Sequence, residues 1–376
     1  MMNILVFNWQ DIKNPLAGGA EVHLHEVFSR IAGMGHKVTL FCSSFKGAPR
    51  EETLDSVKVI RAGGRYLFNF RVPFAYFSRF RRDRYDIVID DMNKIPFFTP
   101  LYVREPLYII THHLFNKSIF LEVPWLLAMY VYLAEKAGFS LCRSRRMPFI
   151  VGSPSTKQEL LAGGFSPDHV DIINYCVNHN IHKPDTSSRG PIPLIGYFGR
   201  LKKYKSVEQL LHALVIVRKK FPDLRLVIVG EGDNRPALEK LANELLIADV
   251  VTFTAFVEER EKVCWMQKVW FAVNTSSKEG WGLTVIEANA CGTTVIASNV
   301  PGLRDAVKDG ETGLLYEFGN VSDLADKMMK LLTDASLRER LSHAAYTWAA
   351  TFDWDAAAGR TLALLEQRVH SSHSSL

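Results

Sequence analysis

Short apolar runs bounded by polar residues alternate along this chain with stretches whose apolar positions recur at helical spacing. The first run, Asn3-Ile4-Leu5-Val6-Phe7, has the length and composition of a strand buried on both faces of a parallel sheet. After Gly18-Gly19, the apolar residues Ala20, Leu24, Val27, Phe28 and Ile31 fall on one helical face, and Gly33 and Gly35 close the helix. Further strand-like runs at 38–42, 57–60, 87–89 and 108–110 are separated by segments long enough for crossovers. Between 175 and 193 the chain turns polar and proline-containing, which places a domain boundary there. The alternation then resumes. Strands are predicted at 194–198, 224–229, 250–253, 269–274 and 294–297. Helices are predicted at 206–219, 235–245 and 258–266, with another ending at Gly292. The last stretch has helical period over 321–332, 337–350 and 354–369, and a polar tail, 370–376, is expected to be disordered. The pattern predicts two doubly wound α/β domains, 1–185 and 186–352, followed by a terminal helix at 353–369.

Length agrees, since 376 residues exceed what one hydrophobic core usually organises. With 47% apolar and 23% charged residues, disordered, collagen-like and coiled-coil architectures are disfavoured. The five cysteines (Cys42, Cys142, Cys176, Cys264, Cys291) are scattered and never spaced as CxxC, which argues against a disulfide framework and a zinc site. No signal-peptide pattern and no long uncharged apolar run occurs, so the expected location is the cytoplasm. The net charge of +5 is uneven. Residues 1–185 carry 22 Lys+Arg against 17 Asp+Glu, and the remainder carry 23 against 23. The first half therefore has the basic excess that an anionic partner attracts.

Three loops at strand ends carry unusual residues. In Gly18-Gly19-Ala20-Glu21, absent side chains and a helix N-terminus together suit a phosphate, although glycines before a helix are also ordinary turn punctuation. Gly199-Arg200-Leu201-Lys202-Lys203-Tyr204-Lys205-Ser206 reads as a cation-rich loop running into a helix capped by Ser206. Arg200 and Lys205 can neutralise a diphosphate there, one by forked hydrogen bonds and one as a point charge, or the loop is a solvated basic turn. Glu279 and Glu287 lie eight positions apart, with Gly280 and Gly282 between them. That exceeds two helical turns, so the carboxylates address different parts of a ligand. Glu287, among apolar neighbours, either accepts from sugar hydroxyls or faces solvent. His112-His113 follow the run at 108–111; adjacent histidines on an extended chain point to opposite faces, so at most one serves a site.

These motifs together resemble glycosyltransferase family 4. The resemblance rests on Pro15-Leu16-Ala17-Gly18-Gly19-Ala20-Glu21, Gly199-Arg200-Leu201 with Lys205, Val229-Gly230-Glu231-Gly232, Glu279 with Glu287-Ala288-Asn289-Ala290-Cys291-Gly292, and the stretches 295–298, 301–307 and 309–315. It implies a GT-B fold: two Rossmann-like domains facing each other across a cleft, with the terminal helix returning to the first. It also implies retaining transfer of a hexose-type sugar from a nucleoside diphosphate sugar, with a uridine or guanosine base. By the same resemblance, Arg200 and Lys205 hold the donor diphosphate and Glu287 the ribose hydroxyls. Glu279 and the backbone of Gly280, Trp281, Gly282, Leu283 and Thr284 lie near the transferred sugar. Gly18 and Gly19 approach the diphosphate from the other domain, His112 sits near the sugar, Gly230 belongs to the donor site, and Phe256 and Val257 frame the base. Trp281, Thr294 and 175–178 depart from the commoner pattern, the last altering the hinge.

No acidic pair is placed as a divalent-cation ligand, Asp90-Asp91 included, so metal independence is expected and no cofactor is implied beyond the donor. The acceptor is expected in the first domain, as a glycan or polyprenyl-linked glycan. Segments 66–85 and 115–146 combine aromatics, apolar stretches and arginines; they fit peripheral contact with an anionic membrane on its inner face, or else a buried helix with a basic end. Nucleic-acid binding lacks a reading element. Other readings are a catalytically silent sugar-nucleotide-binding subunit, a nucleotide-sugar epimerase, and a phosphorylase, which normally carries pyridoxal phosphate.

Overall fold

A computed structural model describes residues 1–65, 67–92, 95–121 and 123–373. Tyr66, at the start of the first aromatic segment, and 374–376, the end of the expected disordered tail, lie outside the described residues.

The chain divides into two units, Met1–Tyr175 with Trp354–Leu376, and Cys176–Asp353. In chain order the first contains β1 (Asn3–Phe7), α1 (Gly19–Gly33), β2 (Lys37–Cys42), β3 (Glu51–Leu54), β4 (Val57–Arg61), α2 (Phe68–Ser78), β5 (Ile87–Met92), β6 (Leu107–Thr111), α3 (Trp125–Ser144), β7 (Phe149–Val151), α4 (Pro154–Ala162) and β8 (Val170–Ile172). Its sheet runs β3-β4-β2-β1-β5-β6-β7-β8. Every pairing is parallel except β3 with β4. The order reverses between β1 and β5, where doubly wound sheets open their crevice. Leu5, Phe7, Val88 and Ile109 from adjacent strands join Phe68, Val72 and Tyr76 of α2 in one core.

The second unit holds β9 (Leu194–Phe198), α5 (Glu208–Arg218), β10 (Arg225–Val229), α6 (Arg235–Glu244), β11 (Val251–Phe253), α7 (Glu259–Lys268), β12 (Phe271–Asn274), α8 (Leu283–Ala290), β13 (Val295–Ser298), α9 (Leu303–Ala306), β14 (Gly313–Tyr316), α10 (Val321–Thr333) and α11 (Ala335–Ala349). Its six strands lie in the order β11-β10-β9-β12-β13-β14, all parallel. Counted within the unit this is 3-2-1-4-5-6, with the reversal between β9 and β12. Leu210, Leu211 and Leu214 of α5 and Leu324, Met328 and Leu331 of α10 pack on it with Ile195, Leu226 and Ile228. The final helix, α12 (Trp354–His373), returns to the first unit. Arg30 of α1 donates to Asp355 at 2.6 Å, and Arg360 to the Ile172 carbonyl at 2.8 Å.

Three expectations are corrected. The units divide after Tyr175 rather than at 185/186, because 176–185 bonds to the second unit: Val177 N–H reaches the Phe352 carbonyl at 3.4 Å and Gln267 donates to the Lys183 carbonyl at 2.7 Å. Ser206 does not cap α5. It takes a left-handed conformation (φ 50°) after a short 3-10 turn, Lys203–Lys205, and the helix starts at Glu208. Residues 370–373 continue α12 instead of being disordered.

Candidate functional site

In the second unit the loops after β9 and β12 leave the sheet on either side of the strand-order reversal. They are stitched together by short polar contacts. Ser277 N–H donates to the Tyr204 carbonyl at 2.9 Å, and Thr275 Oγ1 to the Lys205 carbonyl at 2.9 Å. Lys205 donates to Glu279, whose Oε1 also accepts from Ser276 Oγ at 2.7 Å. Burial alone would lower the Lys205 pKa, but the adjacent Glu279 charge outweighs it and holds the ammonium above its ordinary value. Arg200, at the head of the same loop, is exposed and close enough to Lys205 to oppose its charge electrostatically. Lys205 and Glu279 therefore form an ion pair between the two loops, with the exposed Arg200 near enough for its charge to act on Lys205.

The close approach of the loops requires glycine. Gly230, after β10, has φ +147°, and a Cβ there would lie 2.0 Å from the Gly199 carbonyl oxygen. Gly302 (φ +82°) sits against the Glu279 carbonyl, where a Cβ would lie at 2.2 Å. Gly282 (φ +92°) is the N-cap of α8, so Leu283 and Thr284 begin that helix and Gly280 and Trp281 form its approach. Trp281 is buried, edge-on to Phe352 at 5.1 Å. Phe256 is 75% exposed beyond β11, and Val257 is half-buried.

Glu287 is buried on α8 and accepts from Lys262 of α7 at 3.0 Å. Lys262 also pairs with Glu259 at 2.9 Å, and His182 lies 3.1 Å from Glu259. Burial opposes the Lys262 charge, but the two carboxylates raise its pKa above the ordinary value. Despite burial, His182 and Lys262 pull Glu259 down to about 2. His182, Glu259 and Glu287 have ligand atoms within 4.8 Å of one another, a spacing that a metal ion can use. The Lys262 ammonium already supplies a cation to both carboxylates. Sequence reasoning found Glu287 but missed Lys262, since a lysine in EREKVCW has no signal of its own; only the packing of α7 on α8 pairs them.

In the first unit, Gly18 and Gly19 stand at the start of α1, both half-buried. Glu21 turns back to accept from the Gly18 N–H at 2.7 Å, and burial raises its pKa. The preceding loop is anchored by Asp11, buried and 2.7 Å from the Arg61 guanidinium. His112 follows β6 directly. It is buried, with Nδ1 against the Tyr175 hydroxyl and Nε2 2.7 Å from Asp91, so neither ring nitrogen is open to a ligand. Burial would lower the His112 pKa, but the Asp91 charge raises it. His23, stacked on Tyr175 at 4.4 Å, is pushed down to about 3 by burial and then by the His112 charge. His113 is half-buried, its ring 4.4 Å from Phe115. Asp90 and Asp91 are both buried on β5; Asp90 accepts from Thr99 at 2.5 Å, and burial pushes its carboxyl up to about 7. A cavity of about 410 Å³ opens beside Leu114 and Asn116 and is lined by Lys136, Phe139, Arg143 and Phe165.

Comparison with known proteins adds three kinds of match. The family model described as glycosyl transferases group 1 matches residues 179–348, and the model described as glycosyltransferase family 4 matches 17–180. A D-inositol 3-phosphate glycosyltransferase of Paenarthrobacter aurescens is 33% identical over 226 residues, covering 57% of this chain and 55% of the relative. The chain spans about half the length of the curated relatives it matches. Among solved structures, the sucrose-phosphate synthase of Thermosynechococcus elongatus superposes with TM-score 0.84 at 22% identity, covering 99% of this chain and 100% of that one. Anabaena HepE in complex with UDP and glucose gives 0.75 at 18%, with both chains fully covered. At these identities the structural matches speak for the fold alone.

Proposed function

The chain belongs to the GT-B glycosyltransferases that the group 1 and family 4 models describe, and from that membership we propose that it moves a hexose-type sugar from a nucleoside diphosphate sugar to a glycan or lipid-linked glycan, with retention at the anomeric carbon and without a metal. The observation that carries the proposal is the convergence of Arg200, Lys205 and Glu279 where the second sheet reverses its strand order. The bond between the anomeric carbon and the phosphate oxygen breaks with positive charge growing on carbon and negative charge on the departing diphosphate. Fixed cations aimed at that diphosphate lower the barrier. Arg200 offers a fork to two phosphate oxygens, and Lys205 exchanges its Glu279 contact for the third. The acceptor oxygen then attacks the same face, and its proton passes to the leaving phosphate oxygen.

Glu287, held by Lys262, accepts from the ribose hydroxyls, and Phe256, exposed beyond β11, stacks on the base. Uridine diphosphate sugars are the first donors to test, as a fold relative binds UDP and glucose. The basic excess of the first half of the chain favours an anionic acceptor, in keeping with the phosphorylated acceptor for which the curated relatives are named.

The test is release of nucleoside diphosphate from labelled donors in the presence of chelator, which separates an enzyme from a silent binding subunit. Lys205→Ala should lower kcat by about 10²–10³; unchanged turnover overturns the role. Turnover that chelator abolishes and divalent cation restores overturns metal independence.

A further inference from the structure

Two helices of the first unit carry apolar side chains on both faces. α2 buries Phe68, Val72 and Tyr76 at intervals of four, and the opposite stripe leaves Leu67, Phe70, Phe74 and Phe77 exposed, Phe70 and Phe74 by 65% and 61%. α3 buries Ala128, Val131, Gly138 and Cys142 and exposes Trp125, Leu126, Met129, Tyr130 and Leu133, with Trp125 and Leu126 at 64% and 70%. Asn69 donates to the Tyr130 hydroxyl at 3.4 Å and joins the two stripes. Leu101, also exposed, extends them, since Tyr102 beside it lies 6.0 Å from the Phe77 ring. Apolar positions at helical spacing normally face a core, so a second such stripe turned to solvent needs a partner outside the unit.

Charge identifies the partner. Residues 67–82 carry four arginines and no acid, and 123–134 carry no charge at all. Arg79 is paired with Glu51 at 2.9 Å. Arg71 and Arg81 lie instead over aromatic rings of the stripe itself, 5.3 Å from Phe74 and 5.9 Å from Phe77, and Lys136 lies 5.6 Å from the Tyr132 ring. Aromatic side chains edged by cations suit the boundary between acyl chains and headgroups, where rings sit at the interface and guanidiniums reach outward. Among the described residues no helix is long and apolar enough to cross a membrane. A helix with this composition lies on a bilayer instead.

We propose that the exposed stripes of α2 and α3 form one surface that docks on an anionic lipid bilayer, with Phe70, Phe74, Trp125 and Leu126 entering the boundary and Arg71 and Arg81 meeting lipid phosphates. The proposal deepens the reading of a lipid-linked acceptor, because docking brings the first unit to the plane where such an acceptor resides, but the binding itself does not depend on sugar transfer.

Flotation of the full chain with phosphatidylcholine vesicles, with and without phosphatidylglycerol, tests it. Binding is expected on the anionic vesicles, weakening with salt. Arg81→Glu should weaken it at least about fivefold, the worth of one cation near such a surface, and the double variant Phe70→Ser with Phe74→Ser should abolish it. Both phenylalanines are exposed, so the fold is retained, and nucleoside diphosphate release measured without vesicles checks sugar transfer separately in the same samples. Equal binding to both vesicle types, or flotation unaffected by the double variant, overturns the proposal. So does a vesicle-indifferent protein that sediments as a dimer and becomes monomeric in the double variant, which assigns the face to a second copy of the chain.

Discussion

Replacing Lys262 with methionine keeps an unbranched side chain, one atom shorter, and removes one ammonium from between two carboxylates. At about 4 Å and an effective dielectric of about 20, each such attraction is about 4 kcal/mol, most of it offset by desolvation. What decides the outcome is the partner left behind. The Glu287 side chain is 9% exposed, and Lys262 supplies the one hydrogen bond it accepts among the described residues. Removing one member of a buried pair costs about 3–5 kcal/mol; Lys262 is itself partly exposed, which reduces this to about 2–3 kcal/mol. Glu287→Gln should cost less, about 1 kcal/mol, because Lys262 keeps Glu259. For a domain of this size the methionine variant should melt about 4–12 °C lower. Thermal unfolding of both variants at neutral pH, followed by circular dichroism, measures the two costs. A methionine variant that melts with the wild type, or a glutamine variant that is the worse of the two, would falsify the account.

Two further outcomes follow from the second unit. Gly230→Ala puts a Cβ 2.0 Å from the Gly199 carbonyl at φ +147° and should cost about 3 kcal/mol and weaken donor binding. Gly310→Ala, at φ +73° with open space around it, should cost about 1 kcal/mol; equal melting temperatures for the two would refute the close approach. Glu259, held at about 2 against an ordinary 4.5, contributes stability that is present above pH 4.5 and lost as pH falls toward 2. As its side chain is 46% exposed, the contribution is about 1 kcal/mol. Acid titration of Glu259→Gln should show a shallower loss across that window, and a slope equal to wild type would remove the group from the acid response.

The strands that carry the candidate site loops were legible because a strand buried on both faces must be a short apolar run; 3–7 and 194–198 coincide with β1 and β9. The edge strand β3 was not, because EETL is polar and pairs with only one neighbour. Nor was β8, whose VDI is too short to signal. Ser206 misled because serine before an apolar stretch is a common cap, whereas here the loop's own 3-10 turn sets its conformation.

Local sequence determined which residues carry charge at which strand ends, so Arg200, Lys205, Glu279 and Glu287 were named from the chain alone. Only the tertiary structure decided which of them meet. Lys205 finds Glu279 across 74 residues, and Lys262 finds Glu287 across 25. His112 loses its freedom to Tyr175, 63 residues later. Spacing along a chain fixes the face on which a side chain emerges, but burial and pairing depend on strand order, which sets what stands opposite and whether a charge there is satisfied.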